Sequence, residues 1–258
     1  MRESKIKLTL EEGKKIYFIS DFHLGIPTAE ISLAREKKVI RWLDTVKHDA
    51  AHIFIMGDIF DFWFEYKYTV PKGFVRLLGK LAELTDSGLP ITFFTGNHDM
   101  WMFEYFIREL NIPIYRNPLE ITISNKTFLI GHGDGLGPKD ASYKLIKKVF
   151  TNRFFQWVFS IAPPSLGMGI AQKWSQKSRI SNKKIDEQFL GEKEWIYKYC
   201  QSVESDNHHD FYIFGHRHLP LDMKVSDSSR YVNLGEWVNF YTYAEFDGKE
   251  LTLKTFEG

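Results

Sequence analysis

The chain has 258 residues, enough for one large α/β domain or two small ones, and its 43% hydrophobic and 16% aromatic content supplies ample core. A formal net charge of +1 excludes the global basic field that marks a whole protein as a nucleic-acid binder. Cys200 is the sole cysteine, so an internal disulfide is excluded and a reducing cytosol is expected.

Met1 to Lys5 mixes charges and leads into an alternating pattern rather than an apolar signal region. Lys5–Leu10 and Lys15–Ser20 alternate around Glu11-Glu12-Gly13, which predicts a β-hairpin. Ser32–Val46 has helical spacing, and His52–Met56 reads as a short apolar strand ending in Gly57-Asp58. Pro71–Thr85 reads as an amphipathic helix with proline in its first turn. Ile91–Thr95 is the next strand and runs into Gly96-Asn97-His98-Asp99. Strands at Leu119–Ile123 and Thr127–Ile130 flank Asn125-Lys126 and lead to Gly131-His132. Glu187–Val203 predicts a long helix, after which strands at 211–214, 231–234, 240–246 and 251–256 close the chain. Early strand–helix alternation followed by late hairpins argues for a mixed sheet, or two packed sheets, covered by helices.

The stretch 154–172 carries no charge over 19 residues, close to the length of a membrane span. Pro163-Pro164 breaks it in the middle, so two short apolar helices around a kink fit better.

Metal-binding side chains recur at the ends of the strand-like runs. They stand in Asp21-Phe22-His23, Gly57-Asp58, Gly96-Asn97-His98-Asp99, Gly131-His132-Gly133-Asp134 and Gly215-His216-Arg217-His218, which hold five of the nine histidines. Any one block is commonplace as a turn or a hydrogen-bonded pair; five in order, with matching donor chemistry, are not. Aspartate, asparagine and histidine suit borderline-hard divalent metals. Side chains at successive strand ends converge on one crevice of an α/β sheet. The glycines Gly57, Gly96, Gly131 and Gly215 are expected where the backbone turns sharply. Asp61, three residues after Asp58, is equally compatible with supporting the site or with a surface turn. Asp134 is expected to support His132. His208-His209 reads as a solvated pair, and His48 and His52 belong to no motif.

The ordered blocks resemble the calcineurin-like metallophosphoesterase superfamily over nearly the whole chain. That resemblance implies a single domain, 1–258, folded as a four-layer α-β-β-α sandwich of α+β type. It implies that Asp21, His23 and His218 hold one metal, Asn97, His132 and His216 a second, and that Asp58 bridges them. The cofactors would be two divalent ions, manganese first, with iron or zinc as alternatives. Two such ions about 3.5–4 Å apart can activate water and clamp phosphoryl oxygens for in-line attack. His98 would act on the leaving group, with Asp99 orienting it as a carboxylate–imidazole pair.

Residues 135–184 fit neither a strand nor a short loop and read as a helical cap. From Pro138 to Lys184 stand ten basic residues against the single Asp140, interleaved with Phe150, Phe154, Phe155, Trp157, Phe159 and Trp174. Phe150, Phe154, Val158 and Ile161 form one helical stripe; Phe155 and Phe159 form another. A basic, aromatic surface suits an anionic bilayer or a lipid with a phosphate head group. It would also suit single-stranded nucleic acid. Gly131 to Leu136, followed by Lys139, Asp140 and Tyr143, resembles the UDP-2,3-diacylglucosamine diphosphatase family of lipid A synthesis. By that resemblance Asn97, His98, Asp140, Tyr143, Arg179 and Lys183 would bind substrate, and the products would be UMP and 2,3-diacylglucosamine 1-phosphate. The best-defined members of that family carry arginine where this chain has His98. A related hydrolase for another lipid- or nucleotide-linked phosphoester is the alternative; a metal-free scaffold conflicts with the complete ligand set. The lipid reading implies a nucleotide–lipid diphosphate as partner, an anionic membrane surface, and no stable nucleic-acid complex. Its setting would be cytoplasmic, peripheral on the inner membrane of a Gram-negative bacterium.

Overall fold

The computed structural model describes residues 6–137, 141–170 and 188–258, without the side chains of 141–143, 145 and 146. The elements run β1 (Ile6–Leu8), β2 (Lys15–Ile19), α1 (Ala29–Val46), β3 (Ala50–Ile55), α2 (Val75–Asp86), β4 (Ile91–Phe94), α3 (Tyr105–Leu110) and β5 (Ile114–Tyr115). They continue with β6 (Leu119–Ile123), β7 (Lys126–Gly131), α4 (Ala141–Thr151), α5 (Arg153–Ile161) and α6 (Trp195–Asp206). The chain ends with β8 (Phe211–Phe214), β9 (Pro220–Lys224), β10 (Arg230–Leu234), β11 (Thr242–Phe246) and β12 (Leu251–Thr255).

Two six-stranded mixed sheets result, ordered β1-β6-β7-β8-β10-β9 and β12-β11-β2-β3-β4-β5. Strand alternation gives each sheet two apolar faces. Ile16, Phe18, Phe54 and Phe94 from one sheet meet Ile121, Phe128, Ile130 and Ile213 from the other. Phe18 stacks on Phe54 at 5.3 Å and on Phe128 at 6.1 Å, an aromatic bridge between the layers. The outward residues Ile53 and Ile55 of β3 pack under Trp42, Leu43, Leu77 and Leu81 of α1 and α2. Tyr212 and Phe214 of β8 pack under Ile196, Tyr197 and Cys200 of α6. The layering is therefore α-β-β-α.

The expected N-terminal hairpin does not form. β1 pairs in parallel with β6, whereas β2 pairs with β3 and β11 in the other sheet. Alternation identified both strands correctly but carries no information about partners. The helix expected from Pro71 begins at Val75, because Phe74 adopts a left-handed backbone (φ 56°) and seats its ring 4.8 Å from that of Phe60. The helix expected from Glu187 starts at Trp195. Glu194 is extended (ψ 125°) so that its carboxylate can reach Arg217.

β2, β3 and β4 run parallel, as do β7 and β8, so their C-terminal ends open at one edge. The cap sits there. Phe150 and Phe159 pack against Phe64, Met100 and Trp101, and the Trp101 indole donates to the Phe150 carbonyl at 2.7 Å. The two sequence stripes are thus redistributed, one member of each being anchored to the core. Phe154, Trp157 and Ile161 instead face outward, 61%, 58% and 62% exposed. Residues 164–170 are also helical, and the remainder of the expected cap, 171–184, lies outside the described residues.

Candidate metal centre

Five candidate ligands, Asp21, His23, Asp58, His216 and His218, have backbones in the left-handed region, with φ between 46° and 65°. Aspartate and histidine tolerate that region better than most residues, yet each such position costs about 1–3 kcal/mol. The loops turn back sharply at the strand ends, which throws the side chains toward a common space. Several supports hold them there. Buried Arg35 donates to the carbonyls of Phe22 and His23, at 3.1 and 2.8 Å, clamping the first ligand loop to α1.

The glycines act by closeness more than by turning. A Cβ on Gly96 would lie 2.1 Å from Oδ1 of Asp58, and one on Gly215 would lie 2.4 Å from Oδ2 of Asp21. Neither has a positive φ; any side chain would evict a ligand. Gly57 alone of the four flanking glycines combines a positive φ of 93° with that crowding.

The carboxylates are each held by one oxygen. Oδ2 of Asp21 accepts from the Ser20 hydroxyl at 2.5 Å and from the His216 amide at 3.0 Å. Oδ1 of Asp58 accepts from the His98 amide at 2.9 Å. Their other oxygens, Oδ1 of Asp21 and Oδ2 of Asp58, are buried and accept no hydrogen bond among the described residues. Such buried anionic atoms are costly unless a positive partner meets them. Nε2 of His23 and of His218 stand 3.5 and 3.3 Å from Oδ1 of Asp21. Oδ2 of Asp58 lies 3.3 Å from Nε2 of His132 and 3.9 Å from Nε2 of His23. Oδ1 of Asn97 lies 2.9 Å from Nδ1 of His216 and 3.3 Å from Nε2 of His132.

Three donor groups follow among the described residues, of which His23, Asp61 and His98 form one and the other two share a carboxylate. Asp21, His23, Asp58 and His218 form one of these two; Asp58, His132 and His216 form the second, with Asn97 beside it, so that Asp58 belongs to each. The orphaned oxygens, the all-nitrogen-and-oxygen donors and the short spacings fit two divalent cations sharing a carboxylate.

Electrostatics agree. Burial opposes charge on Asp21, yet His218 and His23 hold its carboxyl well below the usual range. Burial likewise opposes charge on His132, but Asp58 and Asp21 lift its imidazole to about 10. Burial and the neighbouring His132 push His216 down to about 4. The enclosure draws positive charge to the carboxylates while keeping His216 neutral, the form that binds metal. The carbonyl of Met56 can only accept, so at 2.8 Å it holds the Nδ1–H of His132 and leaves Nε2 facing the centre.

One expected support is reassigned. Asp99 does not orient His98: its carboxylate accepts the amides of Gly96, Ile59, Asp58 and Phe60 at 2.7 to 3.4 Å, tying two ligand loops together. His98 instead turns Nδ1 to Asp61, 3.0 Å from its carbonyl and 3.7 Å from its carboxylate. The buried carboxylate of Asp134 pairs with Lys147 of α4 at 2.6 Å, and its negative charge also favours the protonated imidazole of His132. Tyr143 lies in α4 with its side chain outside the described residues, as are Asp140, Arg179 and Lys183 altogether. His209, expected to be solvated, is buried at 1% exposure, and the Glu204 carboxylate accepts from its amide at 3.1 Å.

Sequence reasoning missed Arg217, fully buried between two ligands and paired with Glu194 at 2.7 Å. It also missed Asn233, whose amide donates to the Gly215 carbonyl. Only the position of Arg217 inside Gly-His-Arg-His pointed to it.

The layers and the clustered donor groups are those of a metal-dependent phosphoesterase, and the calcineurin-like phosphoesterase family matches residues 14–220. The chain belongs to that family of metal-dependent hydrolases. It is 38% identical to the UDP-2,3-diacylglucosamine hydrolase of Porphyromonas gingivalis, over 94% of this chain and 98% of that protein. The enzymes of the same description from Vibrio parahaemolyticus and Shewanella pealeana are 28% and 25% identical, over 93% and 85% of this chain and 98% and 89% of theirs.

Proposed function

We propose that this protein hydrolyses the diphosphate of UDP-2,3-diacylglucosamine, releasing UMP and 2,3-diacylglucosamine 1-phosphate for lipid A synthesis. The observation that carries this reading is the 38% identity to the Porphyromonas gingivalis enzyme, which at 94% coverage takes in the cap as well as the metal centre.

Asp21, His23 and His218 would hold one ion, and Asn97, His132 and His216 the other, with Asp58 serving both. Manganese is the first choice, and the donors also accept iron or zinc. When bound, the ions supply activated water and positive charge for the phosphoryl oxygens. The Nδ1 proton of His98 is held by the Asp61 carbonyl at 3.0 Å, with the Asp61 carboxylate 3.7 Å away, so the far nitrogen serves the leaving oxygen. That leaving group is a phosphate monoester, whose second ionisation lies near pH 6, so positive charge serves it nearly as well as a proton. This explains how relatives can use arginine at a position where His98 stands. Asp99 keeps the Asp58 and Asn97 loops in register. Asp140, Tyr143, Arg179 and Lys183 are assigned to the substrate by resemblance.

The outward apolar side chains of α5, with Arg153 at its start, support a peripheral seat on an anionic membrane, the cytoplasmic face of a Gram-negative inner membrane. Among the described residues no helix is long and apolar enough to cross one. No stable nucleic-acid complex is part of this reading. The test is product analysis: the manganese-loaded protein should convert UDP-2,3-diacylglucosamine to its two monophosphates. Intact substrate, with bis-p-nitrophenyl phosphate still cleaved, would leave the family chemistry standing and remove this substrate.

A further inference from the structure

Arg217 stands between two candidate ligands, His216 and His218, whose backbones both lie in the left-handed region at φ 65° and 56°. Such turns persist where the surroundings over-determine them. The Gly215 amide donates to the His132 carbonyl at 2.9 Å, and the His216 amide to Asp21 at 3.0 Å. The Arg217 side chain is the anchor that follows, fully buried and reaching the segment 188–195. Its Nε donates to one oxygen of Glu194 at 2.7 Å and its Nη2 to the other at 3.1 Å, and Nη2 also donates to the Gln188 carbonyl. The guanidinium carbon lies 4.8 Å from the centre of the Trp195 ring.

The same segment carries other parts of the site. The Glu194 carbonyl accepts the Lys198 amide at 3.0 Å, and its carboxylate accepts the Leu190 amide at 3.0 Å, so the pair is fixed to the start of α6. Gly133, next to His132, has a φ of 113°, and a Cβ there would lie 2.9 Å from Cδ1 of Ile196. Gly137 has a φ of 93°, and a Cβ there would lie 2.6 Å from the Trp195 carbonyl oxygen. The turn after His132 and the entry to the cap therefore rest on the residues that hold Arg217.

Stability does not account for this choice of side chains. A buried ion pair can be replaced by apolar residues of similar volume at little or no cost. A planar fork closed on a carboxylate does what apolar packing cannot, fixing direction as well as distance. Here the direction fixed is that of the chain between two imidazoles.

We propose that Arg217 is a positioning residue for the metal centre, and that Glu194, Trp195 and Ile196 form a pedestal to which the His132 and His216–His218 loops are both keyed. This rests on the two-ion reading of the donor groups. It gives the start of α6 a part in metal retention, although that segment contributes no member of either group. Because Gly137 and Gln188 stand on the two sides of the cap in sequence, the same pedestal joins the base of the cap to the centre.

The test separates positioning from stability. Manganese titrations, read by the EPR signal of the free ion, are run on wild type, on Arg217→Met combined with Glu194→Leu, and on Arg217→Lys. Each melting temperature is measured without metal. The double variant removes both charges and should melt near wild type. Its affinity for at least one of two manganese ions should nevertheless fall about 10–100-fold, the loss typical when a group supporting a ligand is removed. Arg217→Lys keeps the charge and loses the fork, and it should also lose about tenfold or more. Affinities for both ions within about twofold of wild type in both variants overturn the positioning role. If the double variant does not fold, Arg217→Lys decides by the same criterion. A wild type that takes up one ion or none refutes the two-ion reading; two ions in wild type, with unchanged affinity in the variants, refute the pedestal alone.

Discussion

Oδ2 of Asp58 stands 3.3 Å from Nε2 of His132 and accepts no hydrogen bond among the described residues, while Oδ1 of the same carboxylate is held by the His98 amide. One oxygen is held by the backbone and the other faces the ring nitrogens of the donor groups. The same division holds at Asp21, and it explains why the two aspartates sit in left-handed turns despite the cost. The ligand loops are over-determined by their supports, and those supports are where mutation should be most informative.

Arg217 and Glu194 form a fully buried pair, joined at 2.7 and 3.1 Å, next to both ligand histidines. Removing one charge strands the other. Arg217→Met should therefore lower unfolding stability by about 3–5 kcal/mol, and adding Glu194→Leu should recover part of it. Chemical denaturation of the three proteins checks this; equal stability of the single and double variants would contradict it.

His98 should separate proton transfer from charge. His98→Ala should lower kcat on any phosphoester by about 10²–10⁴-fold. His98→Arg should keep the diphosphate rate within about tenfold of wild type, because a phosphate leaving group needs little protonation, yet fall to the alanine level on an alkyl phosphodiester. Steady-state kinetics on both substrates decide it. Parallel losses would refute the electrostatic role.

The exposed face of α5 should matter for lipid and not for folding. Changing Phe154, Trp157 and Ile161 together to Ser should weaken sedimentation with vesicles containing anionic lipid by about tenfold or more, at about 0.8 kcal/mol per CH₂ withdrawn from the bilayer. Because these side chains are 61%, 58% and 62% exposed, melting temperature should not fall. A large drop would mean that they pack in a way the exposure does not represent.

His52 supplies a stability switch away from the site. Its ring stacks on Phe54 at 4.2 Å and shares a 2.9 Å hydrogen bond with Thr92, and burial lowers its pKa from 6.5 to about 4. The unfolded chain therefore binds the proton more readily between those values. Stability from this group is complete above pH 6.5 and is lost as pH falls toward 4, by roughly 3 kcal/mol at most. His52→Gln should flatten that part of the acid limb in denaturation curves taken across the window. An unchanged slope would assign it to other groups.

Much of the centre was legible because it is written locally. Glycine followed by a ligand at the end of an apolar run marks a strand edge, and Asp21, His23, Asp58, Asn97, His132, His216 and His218 do gather there. The partners of those residues were less legible, since they depend on which loops meet. Asp99 is adjacent to His98 in sequence, but its carboxylate faces four backbone amides, and Asp61, distant in sequence, takes the ring. Strand pairing failed at β1 for the same reason: alternation gives two faces and no neighbour. In the cap, periodicity could not tell the half-buried Phe159 from the exposed Phe154, because both faces of α5 are apolar.

The central claim is that Asp58 is shared by two cations. Elemental analysis of purified, metal-loaded protein measures it directly, alongside turnover of bis-p-nitrophenyl phosphate. Wild type should carry two divalent ions per chain, and Asp58→Ala should carry one or none and lose about 10³-fold or more in rate. An Asp58→Ala protein that retains both ions and turns over substrate at the wild-type rate would contradict the account.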